Sequence, residues 1–150
     1  MFASGETGSN GRSEVIANLG GGPNGAAIGP DGAVYVCNNG GLEWRDVNGL
    51  RVPKRAAADY TSGRIERVDL GTGRFERVYE TFNGERLSSP NDIVFDRTGG
   101  FWFTDIGKSF VRGRDHGGLF YARPGGSHPH HERGVLASSP LDDDHVVCGP

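Results

Sequence analysis

Apolar residues along this chain come in short runs separated by polar turns rich in glycine. Ile93-Val94-Phe95 and Phe101-Trp102-Phe103-Thr104 flank the turn Asp96-Arg97-Thr98-Gly99-Gly100. β-Branched and aromatic residues suit a pleated surface, and glycine supplies the positive φ of a tight reversal. The pattern predicts a β-hairpin. A hairpin returns its chain, so Asn91 and Asp92 at its start and Asp105 at its end fall at one end of the strands.

The hairpin is repeated. Counting back 67 residues from Asn91 reaches Asn24, and the two segments align without a gap. Pro23 falls on Pro90, Gly32 on Gly99, Tyr35 on Trp102, Asn38 on Asp105 and Gly40 on Gly107. Strands are expected near Ala26–Gly29 and Val34–Asn38. A companion hairpin runs Gly63–Leu70, turns at Gly71-Thr72-Gly73 and returns as Arg74–Tyr79; a shorter echo starts at Gly118. Ser138-Ser139-Pro140 repeats Ser88-Ser89-Pro90, and Val15 to Leu19 reads as the outer strand of a preceding unit. The order is strand, strand, strand, strand, then a new Pro-Asn start. Repeated antiparallel units of this kind predict an all-β fold and a β-propeller, whose blades bury their faces against one another in rings of roughly four to eight. Two complete blades are expected, Pro23 to Leu87 and Pro90 to Ala137.

Between the strands, Asn39 to Ser62 reads as irregular, with Gly40, Gly41, Gly49 and Pro53 as breakers. Long loops usually have a task. Leaving from the Asn38 end, it is placed to cover a channel mouth, with Leu42 and Trp44 either contacting a ligand or packing under the loop. A shorter excursion, Lys108 to Asp115, follows Asp105.

Composition narrows the classes. The chain has 150 residues, 26 of them Gly, and is 35% hydrophobic, which fits turn-rich β structure. A net charge of −3 leaves no basic footprint, so no nucleic-acid partner is expected. No run reaches the roughly 18 apolar residues of a membrane span, and no secretory signal opens the chain, so no membrane partner and a cytoplasmic location are expected. Cys37 and Cys148 read as two free thiols. His128, His130 and His131 read as solvated loop residues, and Asp142-Asp143-Asp144 as a solvated charge run.

Asn and Asp oxygens at the mouth of a narrow channel suit a hard cation such as calcium, which takes six to eight oxygen ligands. The motif lacks the His and Cys that zinc prefers. Asn91 is therefore a candidate metal ligand and substrate contact. Asp105 is a second candidate ligand, weighed against a strand-end cap on backbone amides. Asp92 and Asn24 are candidate substrate contacts, Asn24 being weighed against a turn residue after proline.

Ser-Pro-Asn-Asp-Ile-Val-Phe-Asp (89–96), Phe-Trp-Phe-Thr-Asp (101–105), Pro-Asn-Gly (23–25) and Gly-Pro-Asp-Gly (29–32) together resemble the gluconolactonase, regucalcin (SMP-30) and luciferin-regenerating enzyme family. The resemblance covers residues 11 to 140. It implies a six-bladed propeller, of which this chain would carry a part. It also implies a divalent metal, usually Ca²⁺ with Zn²⁺, Mg²⁺ or Mn²⁺ as alternatives, and hydrolysis of a small-molecule lactone or ester. Asn91 matches the family's channel asparagine. The family's metal ligands come from a Glu-Gly-Pro, from a Pro-Asn-Gly one blade after Asn91, and from an Asp that also serves as base. None has a counterpart here: Leu141 stands where the second asparagine is expected, and the base would lie beyond Pro150. No catalytic residue is assigned, and the chain is expected to be inactive alone. Residues 1 to 10 read as a loose segment. Residues 141 to 150 break the repeat abruptly and read as an aberrant tail produced by truncation, a frameshift or an assembly artefact. Two other readings are a strictosidine-synthase-like propeller enzyme and a non-catalytic propeller that binds a ligand.

Overall fold

Strand formation follows the apolar runs. In chain order the first unit comprises β1 (Pro23–Ile28), β2 (Val34–Asn38), β3 (Leu42–Val47), β4 (Leu50–Ala56), β5 (Arg64–Val68), β6 (Phe75–Tyr79), β7 (Thr81–Phe82) and β8 (Glu85–Arg86). The second comprises β9 (Pro90–Phe95), β10 (Phe101–Asp105), β11 (Ser109–Phe110), β12 (Gly113–Arg114), β13 (Gly118–Ala122) and β14 (Leu136–Ala137). This computed structural model describes residues 14–125 and 136–137. Among them every element is a strand, and no helix is long and apolar enough to cross a membrane. The loose segment at 1–10, the three loop histidines, Cys148, the Asp142–Asp144 run and the tail at 141–150 lie outside the described residues.

Two four-stranded antiparallel sheets carry the fold, ordered β1-β2-β5-β6 and β14-β13-β10-β9. The four-strand repeat expected from the sequence is therefore present twice. Strand β2 shows how they stack. Its side chains alternate between faces, yet all five residues are buried. Val34 and Val36 join Val68, Ala17 and Leu19 on one face. Tyr35 and Cys37 join Ile65 and Tyr79 on the other, where they meet Ile93, Phe101, Phe103 and Ala122 of the second sheet. Phe101 is fully buried, 5.6 Å from the Tyr35 ring and 5.2 Å from Phe95. Each such side chain contributes roughly 1.5–3 kcal/mol through burial.

Residues 39–62 correct one expectation. Most of that stretch is the β3–β4 hairpin. Asn48 (φ 51°) and Gly49 (φ 80°) both take left-handed backbone at its tip, the geometry of a two-residue primed turn. Asn83 (φ 51°) and Gly84 (φ 84°) build the β7–β8 turn the same way. Glycine was thus a turn former here, and Pro53 is tolerated because a two-stranded ribbon has only edges. The 108–115 excursion likewise contains the β11–β12 pair.

Candidate functional site

Both Pro-Asn starts carry the same irregularity. In the first sheet Pro23 pairs with Asn38 and Ala26 with Val36, so Asn24 and Gly25 stand opposite Cys37 alone. In the second, Pro90 pairs with Asp105 and Ile93 with Phe103, so Asn91 and Asp92 stand opposite Thr104 alone. Two residues against one is a β-bulge, which bends a strand and re-aims its side chains. Strands β1 and β9 lie side by side, and the bulges turn their asparagines together. Asn24 Nδ2 donates to Asn91 Oδ1 at 2.6 Å. Gly25 permits this approach: a Cβ there would come within 2.5 Å of the Asn91 carbonyl oxygen and 2.6 Å of Asp92 Oδ1. Asp92 is exposed beside the pair, and its Oδ1 accepts the Ile93 N–H at 2.9 Å. Three of the four predicted site residues are thus brought to one edge.

Asp105 is placed differently. It is buried, and its carboxylate accepts the N–H groups of Ser88 (2.7 Å), Ser89 (2.7 Å) and Gly107 (2.8 Å). That is the arrangement of a strand-end cap. Burial pushes its pKa above the ordinary carboxylate value, while the three amides partly oppose the rise. Held this way, Asp105 fixes the Ser88-Ser89-Pro90 segment from which Asn91 projects. Asn38 does the same one repeat earlier, its Oδ1 accepting from Gly22 (2.9 Å) and Gly40 (3.0 Å). Its Nδ2 donates to Glu66 Oε2 at 2.8 Å, and Glu66 pairs with Arg64 at 2.7 Å. An amide at 38 avoids a second buried carboxylate against Glu66. The sequence signals for this buried network were the alignment of Asn38 on Asp105 and the charged pair Arg64 and Glu66 inside an apolar strand.

A cleft of about 570 Å³ opens beside Asn24. Gly22, Asn39, Leu42, Trp44 and Asp59 are among its walls, so the β3–β4 hairpin flanks the asparagine edge. Against the Asn39 wall, Lys108 is buried, donates through Nζ to the Asn39 carbonyl and lies 4.8 Å from the Tyr60 ring centroid. Burial draws its pKa from 10.5 down to about 8, with Asp105 opposing. Ser88 Oγ donates to Asp115 at 2.6 Å nearby. Among the described residues no group of three or more His, Cys, Asp or Glu side chains is arranged to hold a metal.

Comparison with known proteins identifies the family. Residues 6–141 match the model of the SMP-30/Gluconolactonase/LRE-like region. The chain belongs to this family. A relative, the gluconolactonase of Zymomonas mobilis subsp. mobilis, is 28% identical over 112 residues, a match covering 70% of this chain and 26% of that protein. An X-ray structure assigned as a gluconolactonase by the Northeast Structural Genomics Consortium aligns with a TM-score of 0.49 and 22% identity, over 77% of this chain and 36% of that one. The chain thus spans about a quarter of the curated relative and about a third of the solved one.

Proposed function

We propose that this region is part of a metal-dependent hydrolase of sugar lactones, built as a six-bladed propeller in the whole protein. The observation that carries the reading is the Asn24–Asn91 contact, made by matching bulges in the edge strands β1 and β9 of two stacked sheets. Family membership and the gluconolactonase relative support the reaction class.

The donor set suits a hard cation in kind, since Asn91, Asn24 and Asp92 offer amide and carboxylate oxygens and no sulfur or imidazole. Asn91 is the residue that would touch the metal, with its orientation held by Asn24. Asp105 serves as the anchor beneath it, because its oxygens already accept three backbone N–H groups. Such a cation supplies polarisation of the lactone carbonyl and stabilisation of developing negative charge. The residues of this chain bind and orient: Asn91 presents its amide to the substrate or to water, and Asp92 accepts hydrogen bonds from substrate hydroxyls.

Asn91→Ala in the whole protein is expected to lower kcat/KM for gluconolactone by about ten- to a thousandfold at saturating calcium, the scale of one polar transition-state contact. The melting temperature is expected to hold, since Asn91 lies at an edge outside the core. Full activity in the variant, or a loss matched by unfolding, returns Asn91 to a turn residue.

A further inference from the structure

Lys108 has a place in the fold that the hydrolase reading leaves unassigned. Its side chain is 2% exposed, and a lysine is rarely buried unless its charge is paired. Among the described residues no carboxylate pairs with it. Its Nζ instead meets the Asn39 carbonyl and the face of Tyr60. A carbonyl dipole and an aromatic face can hold an ammonium, and the seat is exacting because a buried charge that loses its partners is costly. Gly40 makes room for the ring, since a Cβ there would come within 2.7 Å of Tyr60. Phe110 packs against the same ring, edge to face at 5.6 Å.

These contacts close a circuit around the asparagine pair. Lys108 lies in the loop that leaves β10 of the second sheet, and Asn39 directly follows β2 of the first. From Asn39 the circuit runs to Asn24: the Asn39 N–H donates to the Gly22 carbonyl at 2.9 Å, just ahead of Pro23 and Asn24. From Lys108 it runs to Asn91: the Ile106 N–H donates to the Ser89 carbonyl at 3.1 Å, and Asp105 accepts the Ser89 N–H at 2.7 Å, just ahead of Pro90 and Asn91. The Asn24–Asn91 bond completes it. Tyr60 adds a cross-link, its hydroxyl donating to the Ser88 carbonyl at 2.9 Å.

We propose that Lys108 is a positioning residue for the asparagine pair: by bonding the Asn39 carbonyl across the two sheets, it sets the separation at which Asn24 can bond Asn91. Its consequence for catalysis rests on the hydrolase reading; the contact itself does not. Apolar packing between the sheets is non-directional, whereas a hydrogen bond fails beyond about 3.5 Å. A directional link close to the pair is therefore what keeps the two bulges in register.

The test uses the whole protein with isotope-labelled asparagine. The Asn24 side-chain amide is assigned by its loss in Asn24→Ala. Lys108→Met keeps a side chain of similar length and removes the ammonium. The Asn24 amide proton resonance is expected to move upfield in this variant, as the bond to Asn91 lengthens. Should Lys108→Met fail to fold, Tyr60→Leu, which removes the ring beneath the ammonium, is expected to move the same resonance in the same direction. An Asn24 resonance that stays in place in the folded variant overturns the proposal. On gluconolactone, Lys108→Met is expected to lose about two- to tenfold in kcat with KM held, the scale of one neutral hydrogen bond. Combined with Asn24→Ala it is expected to be no slower than Asn24→Ala alone, because both act through one contact. Losses that multiply overturn the proposal, since Lys108 would then act apart from the pair. A displaced Asn24 resonance in a whole protein that hydrolyses no lactone sinks the hydrolase reading and leaves the positioning role standing.

Discussion

Asn24, Asn91 and Lys108 show how single side chains here depend on partners far along the chain. Asn24 spends its amide nitrogen on Asn91, so Asn24→Ala frees Asn91 to rotate without removing it. A loss of about two- to tenfold in kcat/KM on gluconolactone is expected, the worth of one neutral hydrogen bond, and smaller than the effect of Asn91→Ala. A loss equal to that of Asn91→Ala would mean that the two asparagines contact substrate equally. Lys108 supplies a pH signature. Its pKa is about 8 in the fold against 10.5 unfolded. Between those values the unfolded chain binds more protons, so its contribution makes stability rise with pH. Cys37 acts in the opposite sense: burial pushes its thiol from 9.0 to about 12, so its contribution is lost as pH rises above 9. Comparing wild type with Lys108→Met cancels the cysteine. The wild type is expected to gain stability relative to the variant from pH 8 towards 10.5, read from urea melts across that range. Parallel pH curves would show that Lys108 titrates as if exposed.

The strands and turns are set by glycines with different tasks. Gly49 needs its left-handed φ of 80° at the hairpin tip, and a Cβ there meets nothing within 4 Å. Gly49→Ala is therefore expected to cost about 1 kcal/mol from backbone strain alone, measured by denaturant melts. Gly25 is the reverse case, where ordinary backbone is hemmed in by Asn91 and Asp92. Gly25→Ala is expected to separate β1 from β9, lowering both the melting temperature and the activity of the whole protein. Unchanged activity would show that the two strands need not touch. The β3–β4 hairpin was legible in Val47-Asn48-Gly49-Leu50, since Asn-Gly between apolar residues is a strong hairpin signal. Reading Gly49 and Pro53 as breakers hid it.

For the molecule as a whole, the two sheets share one core. Tyr35 of the first sheet meets Phe95 at 5.1 Å and Phe101 at 5.6 Å, and Tyr79 meets Phe101 at 6.0 Å. Phe101→Ala is expected to cost about 3–5 kcal/mol and to lower the stability of both sheets in one transition. Near-ultraviolet circular dichroism and tryptophan fluorescence should then melt together. Separate transitions would mean that the sheets fold independently of this contact.

The all-β class, the doubled four-strand unit and the Pro-Asn starts were written in the sequence, because strand periodicity and turn chemistry are local properties. The gapless offset between Asn24 and Asn91 was also legible, since a repeat needs no coordinates. What the chain order could not decide was which polar groups meet across sheets. For Asp105 the sequence left a metal ligand and a strand-end cap both open, and register buries it, like Asn38, on backbone amides. Arg64 and Glu66 stand among the apolar residues of β5, and stacking against Ala17 to Leu19 closes over them. Trp44 gains a cleft only because its hairpin folds back beside Asn24. Each of these outcomes depends on contacts between distant segments, where burial raises the cost of every unpaired polar group and so dictates its partner.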